Sequence, residues 1–103
     1  MMSKRILLAC AGGFSTSMLV EKMKEEAIKR GEDVFIEACS ESKITENLPA
    51  DIIMLGPQMG HIEDEVKELV NNEMPVTTID MADYGMMNGG KVLDVAFELM
   101  NNG

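Results

Sequence analysis

A cysteine followed by small and hydroxyl-bearing residues is the part of this sequence best suited to chemistry. Cys10 ends a short apolar run, and three consecutive hydroxyl residues occupy positions 15–17. A strand that leads into a helix directs backbone N–H groups and the positive end of the helix dipole at the loop between them. An anion is the expected occupant of that loop, and the same field would stabilise negative charge on the sulfur. The sequence therefore predicts a sulfur, at the head of a surface loop, that binds or attacks a phosphoryl group.

The spacing after Cys10 excludes several phosphate-binding motifs. The nucleotide P-loop and the dinucleotide fingerprint G-x-G-x-x-G are both absent from the sequence. A cysteine phosphatase loop has arginine at the sixth position after its cysteine, and Thr16 occupies that position here. Without the guanidinium group, the phosphoryl oxygens lose a bidentate donor in the transition state, so fast hydrolysis is not expected. The pattern favours a carrier that receives a phosphoryl group and passes it on.

Charge and composition exclude other classes of function. The formal net charge is −9, with 18 acidic and 9 basic residues, and nucleic-acid binding requires a basic surface. One histidine, His61, and two separated cysteines, Cys10 and Cys39, are too few ligands for a zinc site, and we expect no cofactor. We expect Cys39 to be structural and His61 to be solvated. No apolar run is long enough for a membrane helix or a signal peptide, so a cytoplasmic protein is predicted.

Strands and helices alternate along the chain and would position Cys10 at the edge of a sheet. The predicted strands are Lys4–Ala9, Asp33–Ala38, Asp51–Leu55 and Val76–Asp80. Helices are expected after each strand, the first capped by Ser15 or Thr16 and ending near Arg30, with a weak helix over Glu41–Leu48 and a loop over 81–90. The first and third strands are continuously apolar and hence central. Right-handed crossovers then predict an α/β, three-layer sandwich on a four-stranded parallel sheet of order 2-1-3-4.

The predicted site lies at the carboxyl ends of the two central strands. Ligands of open parallel sheets bind where the strand order reverses, which is between the first and third strands here. Cys10 and the segment Gly56, Pro57 and Gln58 follow those strands, so we expect the segment to form a wall of the site. Asp80 and Tyr84 follow the fourth strand, and they either contact the site or a partner or merely fix a turn.

The loop resembles that of a known family. Residues 10–17 follow the pattern Cys-x-x-Gly-x-Ser-Thr-Ser and resemble the phosphorylation loop of IIB subunits of the bacterial sugar phosphotransferase system, lactose/cellobiose (diacetylchitobiose) class. The resemblance continues in Ala50–Gln58 and in the Ile79-Asp80, Tyr84-Gly85 and Gly89 positions. It implies a single domain of this IIB type over residues 1–103, with a topology like that of the phosphatase-I fold.

The resemblance also implies a mechanism. Cys10 would accept a phosphoryl group from a phosphohistidine of a IIA subunit, as a phosphocysteine. It would then donate the group to a cellobiose-, chitobiose- or lactose-type sugar held by the IIC membrane permease, with which the chain would associate only peripherally. The phosphate-binding loop implied by the motif comprises Ala11, Gly12, Gly13, Phe14, Ser15, Thr16 and Ser17.

Two other interpretations and one surface hypothesis remain open at the level of sequence. A low-molecular-weight cysteine phosphatase relative lacks its arginine here, and a flavodoxin-like phosphate-binding module lacks aromatic residues near the loop. Flexible apolar side chains near the strand ends would suit an adaptable docking surface for successive partners. The residues hypothesised to form it are Met59, Met81, Met86 and Met87, together with Phe14.

Overall fold

Four parallel strands form the central sheet of this protein. The structure, a computed structural model, describes residues 4–10 and 14–102. The strands are β1 (Lys4–Cys10), β2 (Val34–Ser40), β3 (Ile52–Leu55) and β4 (Val76–Thr78). All described pairings are parallel, and the order is β2-β1-β3-β4. The predicted sheet, with the first and third strands in its centre, is confirmed.

Helices cover both faces of the sheet. They are α1 (Phe14–Arg30), α2 (Glu63–Leu69), α3 (Met81–Gly85) and α4 (Gly89–Asn102), with 3₁₀ turns at Glu41–Lys43, Thr45–Asn47 and Pro57–Ile62. Within the described residues, no helix combines the length and the apolar character needed to cross a membrane.

The core is split into two clusters because successive side chains of a strand point to opposite faces of a sheet. The α1–α4 cluster comprises Ile6, Leu8, Leu19, Val20, Met23, Ala27, Ile36, Ile52, Met54, Ile79, Val92, Leu93 and Ala96. The α2 cluster comprises Leu7, Ala9, Ile44, Ile53, Leu55, Met59, Val66, Val70 and Val76. β1 and β3 contribute to both clusters, which explains why their sequences are apolar without alternation.

Three local predictions are wrong. The helix expected over Glu41–Leu48 is a pair of 3₁₀ turns, because Ile44 is the one fully buried residue of that segment and gives a helix no apolar stripe to bury. The loop expected over 81–90 contains α3 and the start of α4. Neither Ser15 nor Thr16 caps α1, because the helix already includes Phe14.

The pairing of α1 with α4 depends on a close backbone contact. A Cβ atom added at Gly89 would lie 2.6 Å from the carbonyl carbon of Lys22, so a glycine allows α4 to start against the middle of α1. At the other end of α1, the Arg30 guanidinium donates to the Asp94 carboxylate at 2.6 Å and to the Gly90 carbonyl oxygen at 3.2 Å. These contacts fix the direction of α1, and hence the place of its first turn at the end of β1.

Candidate active site

Cys10 is the last residue of β1 and is buried. Cys10 is 5% exposed, and it pairs with Ser40 of β2 in the sheet. The expectation of a surface-loop sulfur is therefore wrong, because β1 extends one residue beyond the apolar run and the first turn of α1 packs over its end. The chain that follows β3 lies beside the end of β1, because the Gly56 N–H donates to the Ala9 carbonyl oxygen at 2.9 Å.

The segment after β3 lies beside Cys10, as predicted. A Cβ atom added at Gly56 would lie 3.2 Å from the Cβ of Cys10 and 3.2 Å from Oε1 of Gln58. Pro57 starts a 3₁₀ turn, in which the Met59 N–H donates to the Gly56 carbonyl oxygen at 2.8 Å. This turn folds the exposed Gln58 back over Gly56, so the segment forms a wall next to the cysteine.

Two hydroxyl groups, those of Thr16 and Tyr84, form a chain of hydrogen bonds that begins at the sulfur of Cys10. Thr16 Oγ1 donates to Cys10 Sγ at 2.8 Å, and the same oxygen lies 3.0 Å from the Tyr84 hydroxyl. Thr16 is 2% exposed and is the buried polar residue among the described side chains. Thus β1 and α1 meet at the sulfur, and α3 contacts the Thr16 oxygen beside it. No pattern in the sequence predicts the contact between Thr16 and Tyr84, which are 68 residues apart.

Asp80 begins the helix that carries Tyr84. Its carboxylate accepts from the backbone N–H groups of Ala82 at 3.0 Å and Asp83 at 3.3 Å, which makes it the cap of α3. Of the two alternatives left open by the sequence, the described contacts give Asp80 the turn-fixing role and bring Tyr84 to Thr16.

The first turn of α1 lies beside the sulfur, and no acidic side chain of that turn offsets the positive end of the helix dipole. Residues 14–17 include no carboxylate, so the helix dipole is not neutralised by a side chain of that turn. Phe14 and Ser15 lie in this turn, and Ser17 is exposed. The remaining predicted loop residues, Ala11, Gly12 and Gly13, lie outside the described residues.

Cys39 and Cys10 lie near each other but belong to opposite faces of the sheet. Cys39 pairs with Ala9 and packs against the α2 cluster, whereas Cys10 follows Leu8 in alternation and meets α1. Partial burial, followed by the negative charges of Cys10 and Glu37, raises the pKa of the Cys39 thiol. The two cysteines are not joined by a disulfide.

The four methionines of the docking hypothesis have different environments. Met81, which begins α3, and Met86, which follows its end, are 74% and 77% exposed. Met59 is 8% exposed and belongs to the α2 cluster, so it does not suit a docking surface. Met87 is half-buried against the α1–α4 cluster. Met18 of α1, which the sequence pattern did not single out, is 55% exposed.

Comparisons with protein families and with individual proteins find relatives of one kind. The family model described as "PTS system, Lactose/Cellobiose specific IIB subunit" matches residues 5–95. The chain is 45% identical over 101 residues to the oligo-beta-mannoside-specific EIIB component of Bacillus subtilis (strain 168), covering 96% of this chain and 98% of that protein. It is 44% identical over 108 residues to the cellobiose-specific EIIB component of Lactococcus lactis subsp. lactis (strain IL1403), covering 98% and 100%.

Solved structures agree with this result. The solution structure of the cellobiose-specific phosphotransferase IIB component from Borrelia burgdorferi superposes with a TM-score of 0.82 at 36% identity, covering 98% of this chain and 94% of that one. The lactose-specific IIB domain from Streptococcus pneumoniae superposes with a TM-score of 0.85 at 19% identity, covering 95% and 98%, and supports the fold alone.

Proposed function

Since the chain belongs to the lactose/cellobiose-specific IIB family of the sugar phosphotransferase system, we propose that Cys10 is the residue on which it carries a phosphoryl group. IIB components are phosphotransferases that pass a phosphoryl group to a sugar, in partnership with IIA and IIC components. The observation that carries the proposal is the position of Cys10 Sγ, which ends a central strand and accepts the Thr16 hydroxyl in the first turn of α1.

The proposed reaction consists of two displacements at phosphorus. In the first, the thiolate of Cys10 attacks the phosphohistidine of IIA; the S–P bond forms, the N–P bond breaks, and the histidine nitrogen keeps the electron pair. In the second, a sugar hydroxyl oxygen attacks; the O–P bond forms, the S–P bond breaks, and the thiolate leaves with its electron pair. The sugar hydroxyl proton passes to a base outside this chain.

Backbone and hydroxyl donors would hold the phosphoryl group between the two steps. The motif assigns this role to residues 11–17, and the uncompensated N-terminus of α1 favours a doubly charged phosphoryl group there. Thr16 stands where a cysteine phosphatase has arginine, so no fork of guanidinium donors assists attack by water. We therefore propose that the site retains the group for a partner and does not hydrolyse it.

The proposed partners are a phosphorylated IIA subunit and a IIC permease with its bound sugar. Relatives are named for cellobiose, galactose and oligo-β-mannoside, and we infer a cellobiose-, chitobiose- or lactose-type sugar for this chain. A carrier between IIA and a permease would work in the cytoplasm, at the membrane surface, and one domain over residues 1–103 would suffice for this task.

We place the docking surface for IIA around α3. Met81 and Met86 are exposed on either side of Tyr84, whose hydroxyl leads through Thr16 to the sulfur. Methionine side chains adapt to surfaces of different shape, which suits a carrier that meets two partners in turn.

A labelling experiment tests the proposed function. The protein is incubated with phosphoenolpyruvate, the general phosphotransfer proteins and IIA, and the phosphorylated residue is identified by mass spectrometry. We expect a phosphoryl group on Cys10, none in Cys10→Ser under conditions that preserve S–P bonds, and unchanged labelling in the matched control Cys39→Ser. Labelled IIA together with unlabelled Cys10 would refute the proposal.

A further inference from the structure

We infer that Tyr84 is a positioning residue for phosphoryl transfer, which holds the Thr16 hydroxyl hydrogen on Cys10 Sγ. The inference rests on the proposed function of Cys10 and concerns a residue 74 positions further along the chain. Tyr84 does not touch the sulfur in the described contacts; it acts through the Thr16 oxygen, 3.0 Å from its own hydroxyl.

The direction of the two hydrogen bonds follows from the number of hydrogens. A threonine hydroxyl has one hydrogen and two lone pairs. Since Thr16 Oγ1 donates its hydrogen to Cys10 Sγ at 2.8 Å, its contact with Tyr84 at 3.0 Å must use a lone pair. The phenol is therefore the donor, and the chain of donors runs from Tyr84 through Thr16 to the sulfur.

The phenol is held in place from outside the site. Asp80 caps α3, and the Tyr84 N–H donates to the Asp80 carbonyl oxygen at 2.9 Å. The ring of Tyr84 packs against the α1–α4 cluster, and Thr16 is 2% exposed. A hydroxyl that accepts from a fixed phenol has less freedom to rotate, so its hydrogen stays directed at the sulfur.

The sulfur needs this hydrogen most when it carries charge. It is a thiolate when it attacks phosphorus, and it becomes one again when the S–P bond breaks and the electron pair returns to it. A donor chain in a buried site strengthens the hydrogen bond to a charged acceptor. No proton is transferred along the chain: Tyr84 and Thr16 both keep their hydrogens, and they stabilise the charge by orientation.

Three variants test the inference. Tyr84→Phe removes the phenolic oxygen and keeps the ring; Thr16→Val removes the hydroxyl at constant shape; the third variant combines both. The matched control is Thr45→Val, at an exposed threonine in a 3₁₀ turn far along the chain. Two rates are measured at fixed pH: transfer from phospho-IIA through Cys10 to sugar, and alkylation of Cys10 by a small neutral reagent, quantified by peptide mass spectrometry.

We expect Tyr84→Phe to lower both rates about fivefold and Thr16→Val to lower them about thirtyfold, with the control unchanged. The KM for phospho-IIA should stay constant while kcat falls, because the hydrogen bond acts on the sulfur and not on docking. The double variant should be no slower than Thr16→Val, because the phenol acts only through that hydroxyl. Tyr84→Phe should unfold at a temperature close to that of the unmodified protein.

Two results would overturn the inference: both rates unchanged in Tyr84→Phe, or effects that multiply to about 150-fold in the double variant. The alkylation rate does not require phosphoryl transfer. An unmodified protein that accepts no phosphoryl group would refute the proposed function, whereas a phosphorylated protein with an unaffected Tyr84→Phe variant would refute the positioning role alone.

Discussion

At the residue scale, the two cysteines show how one residue type acquires two different environments. Cys10 ends β1 and receives the Thr16 hydroxyl, whereas Cys39 lies on the edge strand and packs against the α2 cluster. The register offset by one residue directs the two side chains to opposite faces of the sheet. Burial, followed by the electrostatic interactions with Cys10 and Glu37, raises the pKa of the Cys39 thiol and so disfavours its charged, nucleophilic form.

The raised pKa of Cys39 predicts a loss of stability in alkali. A thiol whose pKa is higher in the folded state stabilises that state fully below its unfolded pKa, near 8.5, and this contribution disappears as the pH rises through the folded value. Urea unfolding from pH 7 to pH 10 should therefore show a steeper alkaline loss in the unmodified protein than in Cys39→Ser. Equal slopes in the two proteins would contradict this assignment.

At the element scale, α1 is held by a glycine contact and by an arginine. Gly89 lets α4 begin against the Lys22 backbone, and Arg30 joins the end of α1 to Asp94. The latter ion pair is at the surface, where water and salt screen it, so it contributes little to stability on its own. The direction of α1 decides where Thr16 meets the sulfur, so the site depends on packing at a distance from it.

The variant Gly89→Ala tests that packing. Its Cβ would lie 2.6 Å from backbone of α1, so the two helices must separate, and we expect a loss of about 2 kcal/mol or more in the free energy of unfolding. Gly85→Ala is the matched control, because nothing lies within 4 Å of its Cβ position, and it should change stability by less than about 1 kcal/mol. Equal stability of the two variants, measured by urea unfolding, would show that α1 and α4 are not closely packed there.

A second test at this scale concerns the contact between α2 and β4. The Thr78 hydroxyl donates to Glu63 Oε1 at 2.7 Å and, together with Lys67, lowers the pKa of that carboxyl. A lowered pKa stabilises the fold above the unfolded value, near 4.3, and the contribution is lost as the pH falls through the folded value.

We therefore expect Thr78→Val to be less stable than the unmodified protein at pH 7, with the difference narrowing below about pH 4. Thr77→Val, at the neighbouring position of β4, is the control and should show no such pH dependence. A difference for Thr78→Val that is constant from pH 7 to pH 3 would exclude the hydrogen bond as its cause.

At the scale of the whole molecule, the proposed site and the proposed docking surface lie at one end of the sheet. Cys10, α3 and the first turn of α1 lie where the strands end, and Met81 and Met86 are exposed beside them. With a net charge of −9 over the chain, the proposed docking surface around α3 would bind partners through apolar contact and would not require them to be strongly basic.

Replacement of one exposed methionine should therefore weaken docking. We expect Met86→Ser to raise the KM for phospho-IIA about threefold with little change in kcat, because it removes apolar contact and leaves the sulfur untouched. Ile28→Ser is the control: this residue is 80% exposed on α1, near the end of the helix remote from Cys10. An equal change in KM for both variants, or none in Met86→Ser, would place the docking surface elsewhere.

The sequence by itself determined the sheet and the position of Cys10 at the end of its first strand. Continuous apolar runs distinguish central strands from edge strands because a buried parallel strand packs on both faces, and this correctly predicted the order 2-1-3-4. Strand order then placed Cys10 beside Gly56, and the local pattern of residues 10–17 led to the family. These features depend on burial and on short-range spacing, which a sequence records directly.

Only the tertiary structure decided how the sulfur is surrounded. The burial of Cys10 and of Met59 results from packing between elements. The contact from Tyr84 to Thr16 joins residues 68 positions apart, and its existence depends on the cap of α3 and on the direction of α1. Such long-range contacts leave no periodic pattern in the sequence, because the two residues belong to different elements whose relative positions are set by tertiary packing.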